Sequence, residues 1–153
     1  MIEIKTERLT IYPLSDDEMK ELIDKEADQA LKAAFLEMLE GCKKDPKNRI
    51  WRAIWVLRNA SGETVGTLAF KGLKDGMVEI GYGMYPEYEG KGLMTEAVTA
   101  VVRWASLQPG VLSIEAETEA DKIASQKVLI KSGFVPKGVN GAEGPRYIWK
   151  NKI

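Results

Sequence analysis

The stretch Val78-Glu79-Ile80-Gly81-Tyr82-Gly83-Met84-Tyr85-Pro86-Glu87-Tyr88-Glu89-Gly90-Lys91-Gly92-Leu93-Met94-Thr95-Glu96-Ala97 constrains the fold more than any other. It reads as a strand stopped by Pro86, a glycine turn, and a helix that begins near Thr95. At such a junction the first helical N–H groups lack intrahelical partners, and the helix dipole adds partial positive charge. Gly90 and Gly92 let the backbone turn tightly and let an anion approach without meeting a Cβ. The junction is not a Walker loop, because no Lys-Ser/Thr pair follows the second glycine, and it lacks the third glycine of the dinucleotide fingerprint. Inside the strand, Gly81 and Gly83 suggest a bulge or close packing beneath a helix. Glu79, between Val78 and Ile80, has either a buried partner or task, or a place on the polar face.

Composition removes whole classes of chemistry. The 153 residues contain no histidine, which excludes a histidine base, a Ser-His-Asp triad and histidine metal ligands. The single thiol, Cys42, makes no internal disulfide or zinc cluster, so no metal is expected and a reducing, cytoplasmic setting fits. With 22 basic and 23 acidic side chains the net charge is −1, which argues against nucleic acid or an anionic membrane as partner. No apolar run reaches the ~18 residues of a membrane span, and Met1 to Leu9 lack the order of a signal peptide.

With no linker or repeat, residues 1–153 read as one domain. Arg8 to Leu14 form a first strand, and Ser15-Asp16-Asp17-Glu18 has capping-box spacing. Apolar residues from Met19 to Leu39 keep three-and-four spacing, as one helix or as two with a break at Asp24 to Asp28. Strands are expected at Trp51 to Arg58, Thr64 to Lys71 and Met77 to Tyr85, joined by turns at Asn59-Ala60-Ser61-Gly62 and Asp75-Gly76. Helix Thr95 to Leu107, strand Val111 to Ala116, helix Asp121 to Ser132, and strands at Phe134-Val135 and Arg146 to Lys150 complete the chain. The order implies an α/β (α+β) fold, a mixed and mostly antiparallel sheet of about six to seven strands with helices on both faces. The acidic run Glu115, Glu117, Glu119 and Asp121 reads as a solvated edge, with an acidic patch for a cationic substrate as the alternative.

Val78 to Ala97 resembles the acyl-CoA-binding motif of the GNAT superfamily of N-acyltransferases. The Glu-Ile-Gly-Tyr strand, the Pro-Glu-Tyr-x-Gly-Lys-Gly loop and the Thr-Glu-Ala helix start are similar to the RimJ/RimL branch, whose members acetylate N-terminal amines of ribosomal proteins. Thr6-Glu7-Arg8-Leu9 and Ala124 to Phe134 agree, so the likeness runs from about Thr6 to Lys150. It implies a fourth and fifth strand that are parallel and splayed, with acetyl-CoA as cosubstrate between them. It also implies cofactor contacts at Tyr82, Met84, Glu89, Gly90, Lys91, Gly92, Leu93, Met94, Thr95, Lys122 and Ser125. Three positions depart from the family pattern: Glu89 replaces a polar or cationic residue, Met94 a small one and Lys122 an asparagine. Leu129 stands where many members carry the tyrosine that protonates the departing thiolate, leaving Ser125 as the nearest donor.

The implied reaction is direct transfer of acetyl to a primary amine, on a small molecule or a peptide or protein N-terminus, without an acyl-enzyme. A free amine near pKa ~10 must lose a proton first, and without histidine a carboxylate is the available base. The resemblance puts that acid at Glu79, facing the acceptor end of the cleft, and the Met84 N–H at the developing oxyanion. The acceptor wall is expected from the first helical region, Phe35, Trp51, Trp55 and the loop Gly138 to Gly144. Cys42, far from the motif, is not expected to act as nucleophile. The alternative function is a non-catalytic acyl-CoA-binding or regulatory module, and the expected assembly is a monomer or homodimer.

Overall fold

The computed structural model describes residues 2–150. In chain order the elements are β1 (Ile4–Lys5), β2 (Thr10–Pro13), α1 (Asp16–Lys25), α2 (Gln29–Lys44), β3 (Ile54–Arg58), β4 (Thr64–Lys74), β5 (Met77–Met84), α3 (Leu93–Ser106), β6 (Ser113–Glu117), α4 (Ile123–Lys131), β7 (Phe134–Asn140) and β8 (Pro145–Trp149). Short 3-10 turns lie at Pro46–Trp51 and Pro86–Tyr88. The strands form one sheet ordered β1-β2-β3-β4-β5-β6-β8-β7, antiparallel except where β5 meets β6. The expected count of six to seven strands becomes eight because Ile4–Lys5 folds back on β2, a pairing too short to leave a periodic pattern. No helix among the described residues is long and apolar enough to cross a membrane.

β3 shows how the layers are fixed. Its run Ile54-Trp55-Val56-Leu57 is buried throughout, so both faces of the strand are covered. Ile54 and Val56 pack with Met19, Ile23, Phe35 and Leu39 of α1 and α2. Trp55 and Leu57 point the other way, into the core beneath α3 and α4. The sequence break between the first two helices falls at Glu26 to Asp28, where Asp28 Oδ1 accepts from the Leu31 N–H at 3.0 Å and starts α2. The Ser15 capping box forms as expected, with Ser15 and Glu18 each accepting from the other's backbone N–H.

Trp51 and Trp55 are core residues, and this corrects their expected place in the acceptor wall. They sit with Phe70 and Trp104 in a cluster whose ring centroids lie 4.9–6.5 Å apart, the usual range for aromatic pairs. Trp51 ends a 3-10 turn, so β3 begins only at Ile54.

The sheet opens in its middle. β5 pairs with β6 only through Met77–Glu79 against Ser113–Glu115; beyond that β6 turns to β8 and β5 continues on β4 alone. Tyr85 N–H donates to Val65 O at 2.9 Å, which marks a hydrogen-bonded pair of the β4–β5 ladder. Antiparallel pairs alternate, so Met84 (opposite Gly66) and Tyr82 (opposite Leu68) direct their N–H and C=O groups away from β4. They face the gap that β6 has left. The parallel, splayed pair expected for the fourth and fifth strands is this β5–β6 pair.

Candidate active site

The gap holds a cavity of about 990 Å³ between β5, the glycine turn, α3 and α4. Gly90 and Gly92 have φ of +78° and +76°, the left-handed region where a side chain is strained. Gly92 starts α3, and no side chain caps that end among the described residues. The N–H groups of Leu93, Met94 and Thr95 therefore lie without helical partners at a cavity wall. An added Cβ at Gly90 would meet nothing within 4 Å, so the turn is open from above. A diphosphate is the kind of anion such an end binds.

The turn is anchored from the start of the chain. Glu96, in the first turn of α3, accepts from Thr6 Oγ1 at 2.5 Å, from the Arg8 N–H at 2.9 Å and from Arg8 Nε at 2.8 Å. Arg8 Nη1 in turn donates to Lys91 O at 3.0 Å, tying the guanidinium to the glycine turn. Burial pushes the Glu96 carboxyl up, but the Thr6 and Arg8 hydrogen bonds and the Arg8 charge outweigh it and hold it below its usual value. Thr6 and Arg8 thus have a structural reason to accompany the motif some ninety residues later.

The expected coenzyme contacts come together. Tyr82, Met84, Glu89 to Thr95, Lys122 and Ser125 all line this cavity. Glu89 is an exposed part of its rim, and Lys91 Nζ lies 6.0 Å from the Tyr88 ring. Sequence reasoning missed Lys127 and Lys131, which line the cavity from α4. Their four-residue spacing on a helix was the available signal. Leu129, on the same helix, is buried. Tyr82 fills the neighbouring space: its hydroxyl donates to Ser125 O at 3.1 Å and lies 3.1 Å from Ser125 Oγ. Burial pushes the Tyr82 phenol up to about 12, against the Ser125 hydrogen bond.

Glu79 sits at the vertex where β5 and β6 part. Its Oε2 pairs with Lys71 Nζ at 2.9 Å and its Oε1 with Arg146 Nη2 at 2.9 Å. Arg146 also contacts Glu115 at 3.0 Å and Glu117 at 2.7 Å, and Lys137 closes on Glu115 at 3.0 Å. Burial pushes Glu115 up, yet the bonds and charges of Lys137 and Arg146 bring it below its usual value. The acidic run is therefore not a solvated edge in its first half: Glu115 is buried in this ion-pair knot because β6 is a central strand. Glu79 itself lies outside the wall of the cavity, and Lys71, which lines it, stands between.

A second cavity of about 280 Å³ lies on the opposite face of β5, under α2. Phe35 lines it, together with Leu31, Met38 and Tyr85. The loop expected to complete this wall lies elsewhere. Glu143 N–H donates to Glu117 Oε2, and Gly144 packs against Thr118 O, so the loop borders the larger cavity. Neither the packing nor the bulge expected for Gly81 and Gly83 is present. Their φ values are not positive, and an added Cβ would meet only Lys71 Cε at 3.9 Å at Gly81 and nothing within 4 Å at Gly83. Cys42 is buried in α2 and lines neither cavity, and burial pushes its thiol up.

A mixed sheet splayed at one parallel pair, with an uncapped helix start and a glycine turn at the mouth of the opening, is an acyltransferase architecture. Residues 5–135 match the Acetyltransferase (GNAT) domain, and the chain belongs to that family. The uncharacterized N-acetyltransferase YjdG of Bacillus subtilis (strain 168) is 36% identical over 84 residues, 53% of this chain and 50% of that protein. The matched stretch thus spans about half the length of that relative. Among solved structures, RimL, a ribosomal alpha-N-protein acetyltransferase in complex with coenzyme A, superposes with TM-score 0.73 at 14% identity, covering 97% of this chain and 96% of that one. A mutant of the spermidine N-acetyltransferase SpeG from Vibrio cholerae gives TM-score 0.71 at 15% identity, covering 94% of each chain. At these identities the two likenesses are of fold.

Proposed function

We propose that this domain transfers an acetyl group from acetyl-CoA directly to a primary amine, as members of the RimJ/RimL branch do. The observation that carries the reading is a coincidence in space. The uncapped start of α3 and the unpaired N–H groups of Tyr82 and Met84 border one cavity, spaced along its wall. Acceptors named for structural neighbours, a ribosomal protein's alpha-amine and spermidine, are both primary amines or carry them.

When bound, acetyl-CoA supplies a thioester whose C–S bond is exchanged for a C–N bond to the amine, with free CoA thiol as the second product. The N–H groups of Leu93, Met94 and Thr95 hold the diphosphate, with Lys91, Lys122, Lys127 and Lys131 adding charge around it. Tyr82 and Met84 offer strand hydrogen bonds to the pantetheine amides, and the Met84 N–H stabilises the oxyanion, a donor type worth ~10²–10³ in rate. Glu79 takes the amine proton through a water held beside the half-exposed Lys71 ammonium. The departing thiolate has an ordinary pKa near ~8.5 and needs little help; the Ser125 hydroxyl donates a hydrogen bond to it when Tyr82 turns its own proton from Ser125 O to Ser125 Oγ.

The test is release of free thiol from acetyl-CoA with a panel of primary amines, for wild type and Glu79→Gln. Amine-dependent release that falls ~10²-fold or more in the variant, with unchanged affinity for coenzyme A, supports the reading. Binding of coenzyme A without turnover of any amine refutes it.

A further inference from the structure

The cavity under α2 bears on which amine the domain accepts. Its walls are Leu31, Phe35 and Met38 of α2, and Ala69 and the two strand glycines floor it. Gly81 and Gly83 are two residues apart, so the faces they leave bare lie on the same side of β5. Backbone conformation does not require glycine at either position, and no neighbour crowds a Cβ there. What the missing side chains produce is open space against α2. The volume lies at the small end of ligand pockets (~300–1,000 Å³), enough for one side-chain-sized body. The two cavities share Lys71 and the stretch Gly81–Met84, so an amine at that shared wall borders both.

We propose that this groove takes a primary amine carried on one uncharged, apolar body, and that it excludes polyamines. The assignment rests on the acetyl-transfer reading and names its acceptor class. Among the described residues the charged group lining the groove is Lys71, whose ammonium is held by Glu79 at 2.9 Å. A single amine placed beside that fixed cation gives up its proton more readily, which is what attack requires. Further ammonium groups would meet a like charge and apolar walls, with no free carboxylate facing them in the groove. An apolar body is favoured instead, and each methylene it buries is expected to tighten binding about fourfold. An N-terminal residue with an aliphatic or aromatic side chain and a free alkylamine share this chemistry.

Calorimetric titration of the protein saturated with coenzyme A tests it, using 3-methylbutylamine, the tripeptide Leu-Gly-Gly, ethylamine and spermidine. At least one of the first two is expected to bind ten times or more tighter than both ethylamine and spermidine. The tighter of the pair identifies a free amine or a chain terminus as the source. Gly83→Val, which fills the groove, is expected to weaken that binding at least tenfold. Met38→Glu, on the half-buried face of α2, is expected to bring in spermidine binding. Spermidine binding as tight as the apolar amines in wild type, no amine binding, or unchanged binding in a folded Gly83→Val protein overturns the assignment. Thiol release separates the two levels. Turnover of spermidine alone sinks the acceptor class and leaves acetyl transfer standing, whereas apolar amines that bind without releasing thiol sink acetyl transfer and leave the groove.

Discussion

Replacing Glu96 by Gln tests whether the glycine turn is held from the N-terminal strands. The carboxylate accepts three hydrogen bonds, two at Oε2 from Thr6 and the Arg8 N–H and one at Oε1 from Arg8 Nε. Bonds to a charged acceptor contribute about 1.5–3 kcal/mol each, and a neutral acceptor roughly halves them. A glutamine oxygen at the Oε2 position keeps two weakened bonds. It loses the Arg8 ion pair, which is discounted to about 0.5 kcal/mol because Arg8 is nearly half exposed. The sum is a loss of about 2–3.5 kcal/mol from a typical ~5–15, or a Tm lower by about 4–14 °C. The difference depends on pH with a definite sign. The folded Glu96 carboxyl titrates below its unfolded value, so its contribution is complete above about pH 4.3 and disappears as pH falls through the folded value. Urea unfolding of both proteins at pH 7 and pH 3 measures it, with coenzyme A affinity expected to weaken severalfold because Arg8 also holds Lys91 O. A gap under about 0.5 kcal/mol at pH 7, or one equally large at pH 3, would refute the clamp.

Three further substitutions probe other parts of the site. Gly92→Ala is expected to lose about 1–2 kcal/mol from the left-handed backbone alone, since its Cβ would meet only Arg8 Nη2 at 3.6 Å; Gly92→Asn should recover part of that in thermal melts. Tyr82→Phe removes the hydroxyl that joins β5 to α4, with about 1 kcal/mol lost in denaturant titration and a larger proportional fall in kcat than in 1/KM. Arg146→Met leaves Glu79, Glu115 and Glu117 around a missing cation, so a loss of about 3–5 kcal/mol is expected at pH 7. Burial pushes Glu115 up, but Lys137 and Arg146 together bring it below its usual value in the wild type. Its stabilising share is therefore present above about pH 4.3 and lost on acidification, and the variant's deficit should narrow toward pH 3.

What could be read in the sequence was whatever depends on local pattern. The glycine turn, the helix start at Ser15, the break at Asp24 to Asp28 and the succession of strands β3 to β5 are set by neighbours a few residues away. The partners of the functional groups are set by the fold. Glu79 meets Lys71 eight residues back but also Arg146, and Glu96 meets Thr6 and Arg8, at distances along the chain that no period encodes. Gly81 and Gly83 show the limit most clearly. Glycine in a strand signals close packing or an open face equally well, and only the position of α2 distinguishes them. Trp51 and Trp55 misled for the opposite reason: large aromatics suit a substrate wall as well as a core, and their pairing with Trp104 of α3 is nonlocal.

One strand is stripped in two directions at the same place. Along its edge, residues 80–84 of β5 lack a neighbouring strand; on its α2 face, Gly81 and Gly83 lack side chains. The bare edge presents N–H groups to one cavity and the bare face gives access to the other, so the peptide groups of Gly81 to Met84 form a partition shared by both. An open edge inside a sheet would close if β6 could continue alongside, and what prevents this is the turn of β6 toward β8. Arg146 of β8 lies at that turn and gathers carboxylates from β5 and β6 at the last paired residues, Glu79 and Glu115, and from Glu117 just beyond. The ion-pair knot that holds Glu79 therefore sits where the strands part, which puts the proposed base at the edge of the opening it would serve.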